Sequence, residues 1–280
     1  MASNLALRVA TGLLLVVAML AALFLLSTIA FGVLMLLLVT AAAHEWARLA
    51  SLAGTSRTLF VAAIFVGGAV LLGLGVTYGF APVVLGACGA ATLYWLAIGA
   101  PSVLAQWLPA TALARALVGF VVLEGALVAV VALKARSPAL ALAAMAIVWI
   151  ADTAAYFTGR RFGRRKLAPA ISPGKTWEGA FGAAIAVVVY ALLLLPLARR
   201  AGYAGPIDAV SIAAWIVLAI ALVALSIVGD LHESLQKRKA NVKDSGTLLP
   251  GHGGVLDRVD ALLAAMPPVA LASLAALHDA

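Results

Sequence analysis

The chain has 280 residues, of which 65% are hydrophobic and only 11% charged. That composition lies far outside the range of soluble domains and marks an integral membrane protein. Its formal charge of +8 sits in a few loops, which argues against a nucleic-acid surface. A single cysteine, Cys88, excludes an internal disulfide and any multi-cysteine metal site, and its apolar surroundings make it a packing residue.

The N-terminal apolar run follows Arg8 and continues to Arg48. A signal peptide has an apolar region of about 7–15 residues, so this run is expected to stay as a membrane anchor. It is also about twice the length of one span, which needs about 20 residues. We therefore divide it near Ser27–Gly32 into spans 6–26 and 30–47. Further spans are expected at 58–78, 82–100, 113–133, 138–158, 178–197, 208–229 and 259–277. The fold class is all-α: a polytopic helical bundle of about nine transmembrane helices with a cytoplasmic N-terminus. It forms a single membrane domain, with N-terminal helices in 1–135 and catalytic helices in 136–280, joined by polar loops 159–177 and 230–258.

The loops support this alternation. One face collects fifteen Lys and Arg, from Arg8, Arg48, Arg57 and Arg115 through Arg160, Arg161, Arg164, Arg165, Lys166 and Lys175 to Lys237, Arg238, Lys239, Lys243 and Arg258. The other holds only Lys134, Arg136, Arg199 and Arg200. The richer face is expected to be cytoplasmic. Trp46, Trp107 and Trp177 read as interface anchors, His44 and Glu45 as interfacial residues, and Glu124 as a mid-span structural polar group.

Two polar regions carry chemistry. In the first, Asp152 ends a span, a basic cluster runs from Arg160 to Lys166, and S-P-G-K-T follows at 172–176. Ser172 and Thr176 are placed to cap the next helix, and Lys175 at a helix N-terminus suits phosphate. This is not a nucleotide P-loop, because Pro169 stands where its leading glycine belongs. The second region holds five of the eleven carboxylates: Asp230, Glu233, Asp244, Asp257 and Asp260. Asp230 and Glu233 are three apart, as are Asp257 and Asp260, so each pair shares a helix face. Two such helix ends side by side offer hard oxygen ligands for Mg²⁺ rather than zinc. Between them P-G-H-G-G, with His252, Gly253 and Gly254, can turn backbone N–H groups toward an anion, while Lys237, Arg238, Lys243 and Arg258 neutralise phosphate.

The stretch from Ser234 to Asp260, S-L-Q-K-R-K-A-N-V-K-D-S-G-T-L-L-P-G-H-G-G-V-L-D-R-V-D, resembles the signature of the phosphatidate cytidylyltransferases (CDP-diacylglycerol synthases). The upstream A-D-T-A-A-Y, F-G-R-R-K-L-A-P and S-P-G-K-T-W-E-G segments resemble a second block of that family. The one departure is Gln236, where the family prefers an apolar residue. The resemblance implies reaction of CTP with phosphatidic acid to give CDP-diacylglycerol and pyrophosphate, within phospholipid biosynthesis, at a bacterial inner membrane with the active site facing the cytoplasm. It implies Asp230, Asp257 and Asp260 as ligands of Mg²⁺, with a second cation allowed. Lys243 and Asp244 join the catalytic set; Lys237, Arg238, His252, Gly253, Gly254 and Arg258 meet CTP; Asp152, Ser172 and Lys175 serve the lipid headgroup. Membrane lipid and a second copy in a homodimer are the expected partners, nucleic acid is not. A CTP-dependent lipid-alcohol kinase and a membrane transporter are the alternatives.

Overall fold

The computed structural model describes the backbone of residues 2–200, 208–248 and 253–278, and the side chains of 12–196, 208–248 and 253–274. Nine helices follow one another among the described residues: α1 Ala2–Leu25, α2 Thr28–Leu49, α3 Gly54–Tyr78, α4 Phe80–Leu104, α5 Ala112–Arg136, α6 Pro138–Phe162, α7 Trp177–Arg200, α8 Ala209–Lys239 and α9 Leu256–His278. Each expected span coincides with one of them. Seven, α2 to α8, are long and apolar enough to cross a membrane among the described residues. The chain is a multi-pass membrane protein.

The boundaries follow from local chemistry. The first apolar run breaks at Ser27, whose hydroxyl accepts the Ala30 amide at 3.2 Å and so caps α2. Thr111 caps α5 through the Ala114 amide at 3.1 Å. Ser137 closes α5 and caps α6, which opens on Pro138 and therefore turns back with no intervening loop. In α4 the helix widens over Val84–Cys88 and Trp95–Gly99 without breaking.

α5 is the central helix. Every residue from Val122 to Ala129 is buried, as expected of a helix apolar on all sides. It packs against α2, α3, α4 and α9. Cys88 is buried there and serves packing. Glu124 is also buried, with its carboxylate against Gly67 and Gly68 of α3.

Two elements differ from the sequence expectation. α8 does not stop at residue 229 but continues through H-E-S-L-Q-K-R-K to Lys239. These residues are good helix formers, Glu233 and Lys237 pair one turn apart, and Lys237, Arg238 and Lys239 favour the negative end of the helix dipole. Between α6 and α7 the chain forms a hairpin, β1 Lys166–Ala168 and β2 Ser172–Thr176, with Lys166 opposite Thr176. Thr176 caps α7 by accepting the Gly179 amide at 3.1 Å, whereas Ser172 lies in β2.

Trp46 and Glu45 are not interfacial. Trp46 is 2% exposed, with its indole N–H donating to the Arg115 carbonyl at 3.0 Å. Glu45 is 6% exposed. His44 is exposed, as are Trp107 and Trp177. The loops gathered on one face by their basic residues do meet: Arg48 donates to the Ser245 carbonyl, and Arg238 to that of Ile171 at 3.4 Å.

Candidate active site

α8 and α9 approach closely at Gly229. A Cβ there would stand 2.5 Å from the Asp260 carbonyl, so only glycine allows this crossing. The crossing sets the partly buried Asp230 of α8 beside Asp260 of α9, each within electrostatic reach of the other. Asp152, ten residues before the end of α6, interacts electrostatically with Lys175 and Asp230 of the same centre. The hairpin supplies its cation: Lys175 Nζ lies 2.6 Å from Asp230 Oδ2. The Ser234 hydroxyl donates to the other Asp230 oxygen at 3.3 Å.

Asp257 faces elsewhere. Its Oδ1 is 2.6 Å from Lys237 Nζ, and its Oδ2 accepts the amides of Ser245 and Gly254, both at 2.9 Å. Lys237 is shared, lying 2.6 Å from Glu233 Oε2 as well. Asp257 and Lys237 therefore brace the loop between α8 and α9. Gly253, at φ +78°, makes the turn this requires, and a Cβ there would come within 2.7 Å of Asp257 Oδ2.

The loop is held a second time by a residue from the N-terminal half. Glu45 accepts the Ser245 hydroxyl at 2.9 Å, the Val255 amide at 3.0 Å and the Leu256 amide at 2.8 Å. Its carboxylate thus satisfies donors at the start of α9 and packs against Gly246 and Gly254. Burial of this charge is supported by three donors, as buried charge requires. Sequence reasoning missed Glu45 because its partners lie about 200 positions away; an acidic residue inside an apolar run was the only signal.

Gln236 also has a function in packing. His232 is 2% exposed, enclosed by the rings of Trp46, Tyr94 and Trp95. The Gln236 amide donates to His232 Nδ1 at 3.1 Å, leaving Nε2 to donate to the Tyr94 oxygen at 2.9 Å. A polar residue at this position completes a buried network that fixes α8 against α2 and α4.

Of the remaining expected site residues, Arg238, Lys243, Asp244 and Arg258 are exposed around the rim, and Ser172 is partly buried in the hairpin. His252 lies outside the described residues. Among the described residues no three carboxylate, imidazole or thiol groups surround one point closely enough to hold a metal by themselves. Asp230 and Asp260 bring two carboxylates to the crossing, and one of them is already paired with the Lys175 ammonium. Two carboxylates completed by water and substrate phosphate are the usual holding of Mg²⁺.

Carboxylates at a helix crossing, a cation-rich rim and a loop anchored by its own amides are a constellation for binding polyphosphate at a membrane boundary. The comparisons with known proteins agree. The family model described as "Cytidylyltransferase family" matches residues 6–275. The phosphatidate cytidylyltransferase of Pseudomonas aeruginosa is 37% identical over 274 residues, covering 93% of each chain. That of Haemophilus influenzae is 50% identical over 121 residues, 43% of this chain and 41% of its own. That of Thermotoga maritima is 39% identical over 127 residues, 45% of this chain and 46% of its own. The chain thus spans about two-fifths of the length of the Haemophilus relative at the higher identity, and nearly the whole of the Pseudomonas relative at the lower. With a match that runs almost from end to end, the chain belongs to the cytidylyltransferase family.

Proposed function

We propose that this protein is a phosphatidate cytidylyltransferase of a bacterial inner membrane, working on the cytoplasmic face. The observation that carries this reading is the Asp230–Asp260 pair with Lys175 at the α8–α9 crossing, beside a loop tied down by Asp257 and Glu45. The names of the relatives support the substrates, CTP and phosphatidic acid. The excess of basic residues on the site's face supports the orientation.

In this reaction an oxygen of the lipid phosphate attacks the α-phosphorus of CTP. A new P–O bond forms, the bond from the α-phosphorus to the bridging oxygen breaks, and pyrophosphate leaves with that electron pair. The nucleophile is already ionised, so no side chain has to remove a proton. The protein's task is to bring two anions into line and stabilise the charge that builds on the leaving group.

Asp230 and Asp260 would hold Mg²⁺, which when bound screens the polyphosphate charge. Arg238, Lys243 and Arg258 on the rim would contact CTP, with Gly253 and Gly254 beneath. Lys237 is committed to Glu233 and Asp257, so its role is to position the loop rather than to grip phosphate. Lys175 would exchange Asp230 for the lipid phosphate as substrates enter. A homodimer is the expected assembly.

The test is transfer of label from α-labelled CTP into organic-soluble lipid, using protein in detergent with phosphatidic acid and Mg²⁺, and EDTA as control. Mg²⁺-dependent cytidine in the lipid is the expected result. In a parallel assay with γ-labelled CTP, label entering the lipid while none enters from the α-position would point to a kinase instead.

A further inference from the structure

Where the hairpin begins at Lys166 and leads into α7 at Trp177 lies a cavity of about 450 Å³ lined by Arg165, Lys166, Trp177, Glu178 and Phe181. Arg165 and Lys166 are exposed, as are Trp177 and Phe181 at the start of α7. Glu178 also lines it, but its carboxylate is occupied by the backbone amides of Arg164 at 3.0 Å and Arg165 at 3.2 Å. Those bonds fix the turn that presents the two cations. The nearby end of α6 repeats the pairing of basic and aromatic groups: Arg160 donates to the Tyr156 hydroxyl at 3.0 Å, and Arg161 stacks on exposed Phe162.

Cations alternating with exposed aromatic rings at the end of a membrane helix match the headgroup layer of a bilayer, where rings sit at the hydrocarbon boundary and cations meet lipid phosphate. We infer that the Arg165–Lys166–Trp177–Phe181 cavity is a headgroup site for a phosphate-monoester lipid, which docks there before reaching the Asp230–Asp260 centre. For the identity of that lipid, the inference rests on the proposed function. Two adjacent cations favour a monoester, which carries nearly two negative charges, over a phosphodiester with one. The connection to the centre is direct, since the hairpin that borders the cavity also carries Lys175 to Asp230 and receives Arg238 at Ile171.

The test uses full-length protein in nanodiscs of phosphatidylcholine doped with either phosphatidic acid or phosphatidylglycerol, with no CTP present. Lipid retained by the protein is counted by native mass spectrometry. Wild type is expected to retain phosphatidic acid in preference to phosphatidylglycerol, and the R165Q/K166Q variant to bind it about 30-fold more weakly. Equal retention of the two lipids, or an unaffected variant, overturns the inference. If the double variant does not show the wild-type thermal transition, K166Q and K166R replace it, and only the latter should keep the preference. Retention with no cytidine transfer would remove the proposed reaction and leave the site standing; transfer with unselective retention would do the reverse.

Discussion

Glu45 accepts a hydrogen bond from the Ser245 hydroxyl at 2.9 Å, joining the second helix of the chain to the loop that precedes the last. With the Val255 and Leu256 amides on the same carboxylate, the loop takes its shape from a residue outside the signature. Replacing Glu45 by Ala strands three donors in a buried position. We expect a loss of about 2–4 kcal/mol in thermal unfolding followed in detergent, and a larger loss of transferase rate. Glu45→Gln, which keeps the shape and one acceptor, should fall between. Equal stability of all three proteins would show that Glu45 does not hold the loop.

Lys237 stands between Glu233 and Asp257. Lys237→Met leaves the two carboxylates facing each other in a poorly solvated site, at a cost of about 3–5 kcal/mol. Adding Glu233→Gln should recover part of that. A double-mutant cycle on unfolding free energy measures the coupling, and strict additivity would contradict the shared ion pair.

Asp230 and Asp257 should fail in different ways. Asp230→Asn removes a ligand from the proposed cation site, and we expect turnover to drop about 10²–10³-fold with the fold retained. Asp257→Asn breaks the loop brace, so stability should fall along with activity. The activity remaining in Asp257→Asn should keep the Mg²⁺ dependence of wild type, whereas that of Asp230→Asn should need more Mg²⁺. Identical Mg²⁺ titrations of the two variants would show that the structure has not separated their roles.

Gly229→Ala inserts a methyl group where the nearest atom, the Asp260 carbonyl oxygen, is 2.5 Å away. The helices must separate, at about 1–3 kcal/mol. Because Asp230 and Asp260 flank the contact, activity should fall further than stability. A fully active Gly229→Ala protein would rule out this crossing.

The helices were readable from the sequence because each is a long apolar run, and the break near Ser27 followed from a run twice the length of one span; that Ser27 caps α2 emerged from the structure. The residues of the centre were readable because carboxylates are rare in such a chain. Their division of labour was not. Asp230 and Asp257 look alike in the motif, and only the tertiary fold turns one toward Lys175 and the other toward Lys237 and two amides. Trp46 looked like an interface anchor by its place at a span end, yet packing on Arg115 and His232 buries it. Gln236 departs from the apolar preference of the family and is explained by a neighbour one helical turn away, His232.

The length of α8 has a bearing on lipid traffic. Thirty-one residues extend about 46 Å, while the hydrocarbon core is about 30 Å thick. From Ala209 to Asp230 the rise is about 32 Å, so the acidic centre falls where hydrocarbon gives way to headgroups, and the last nine residues stand in the polar layer beyond. A phospholipid can present its phosphate at that height with both acyl chains still in the bilayer. The cost of drawing those chains into water, about 0.8 kcal/mol for every methylene, never arises.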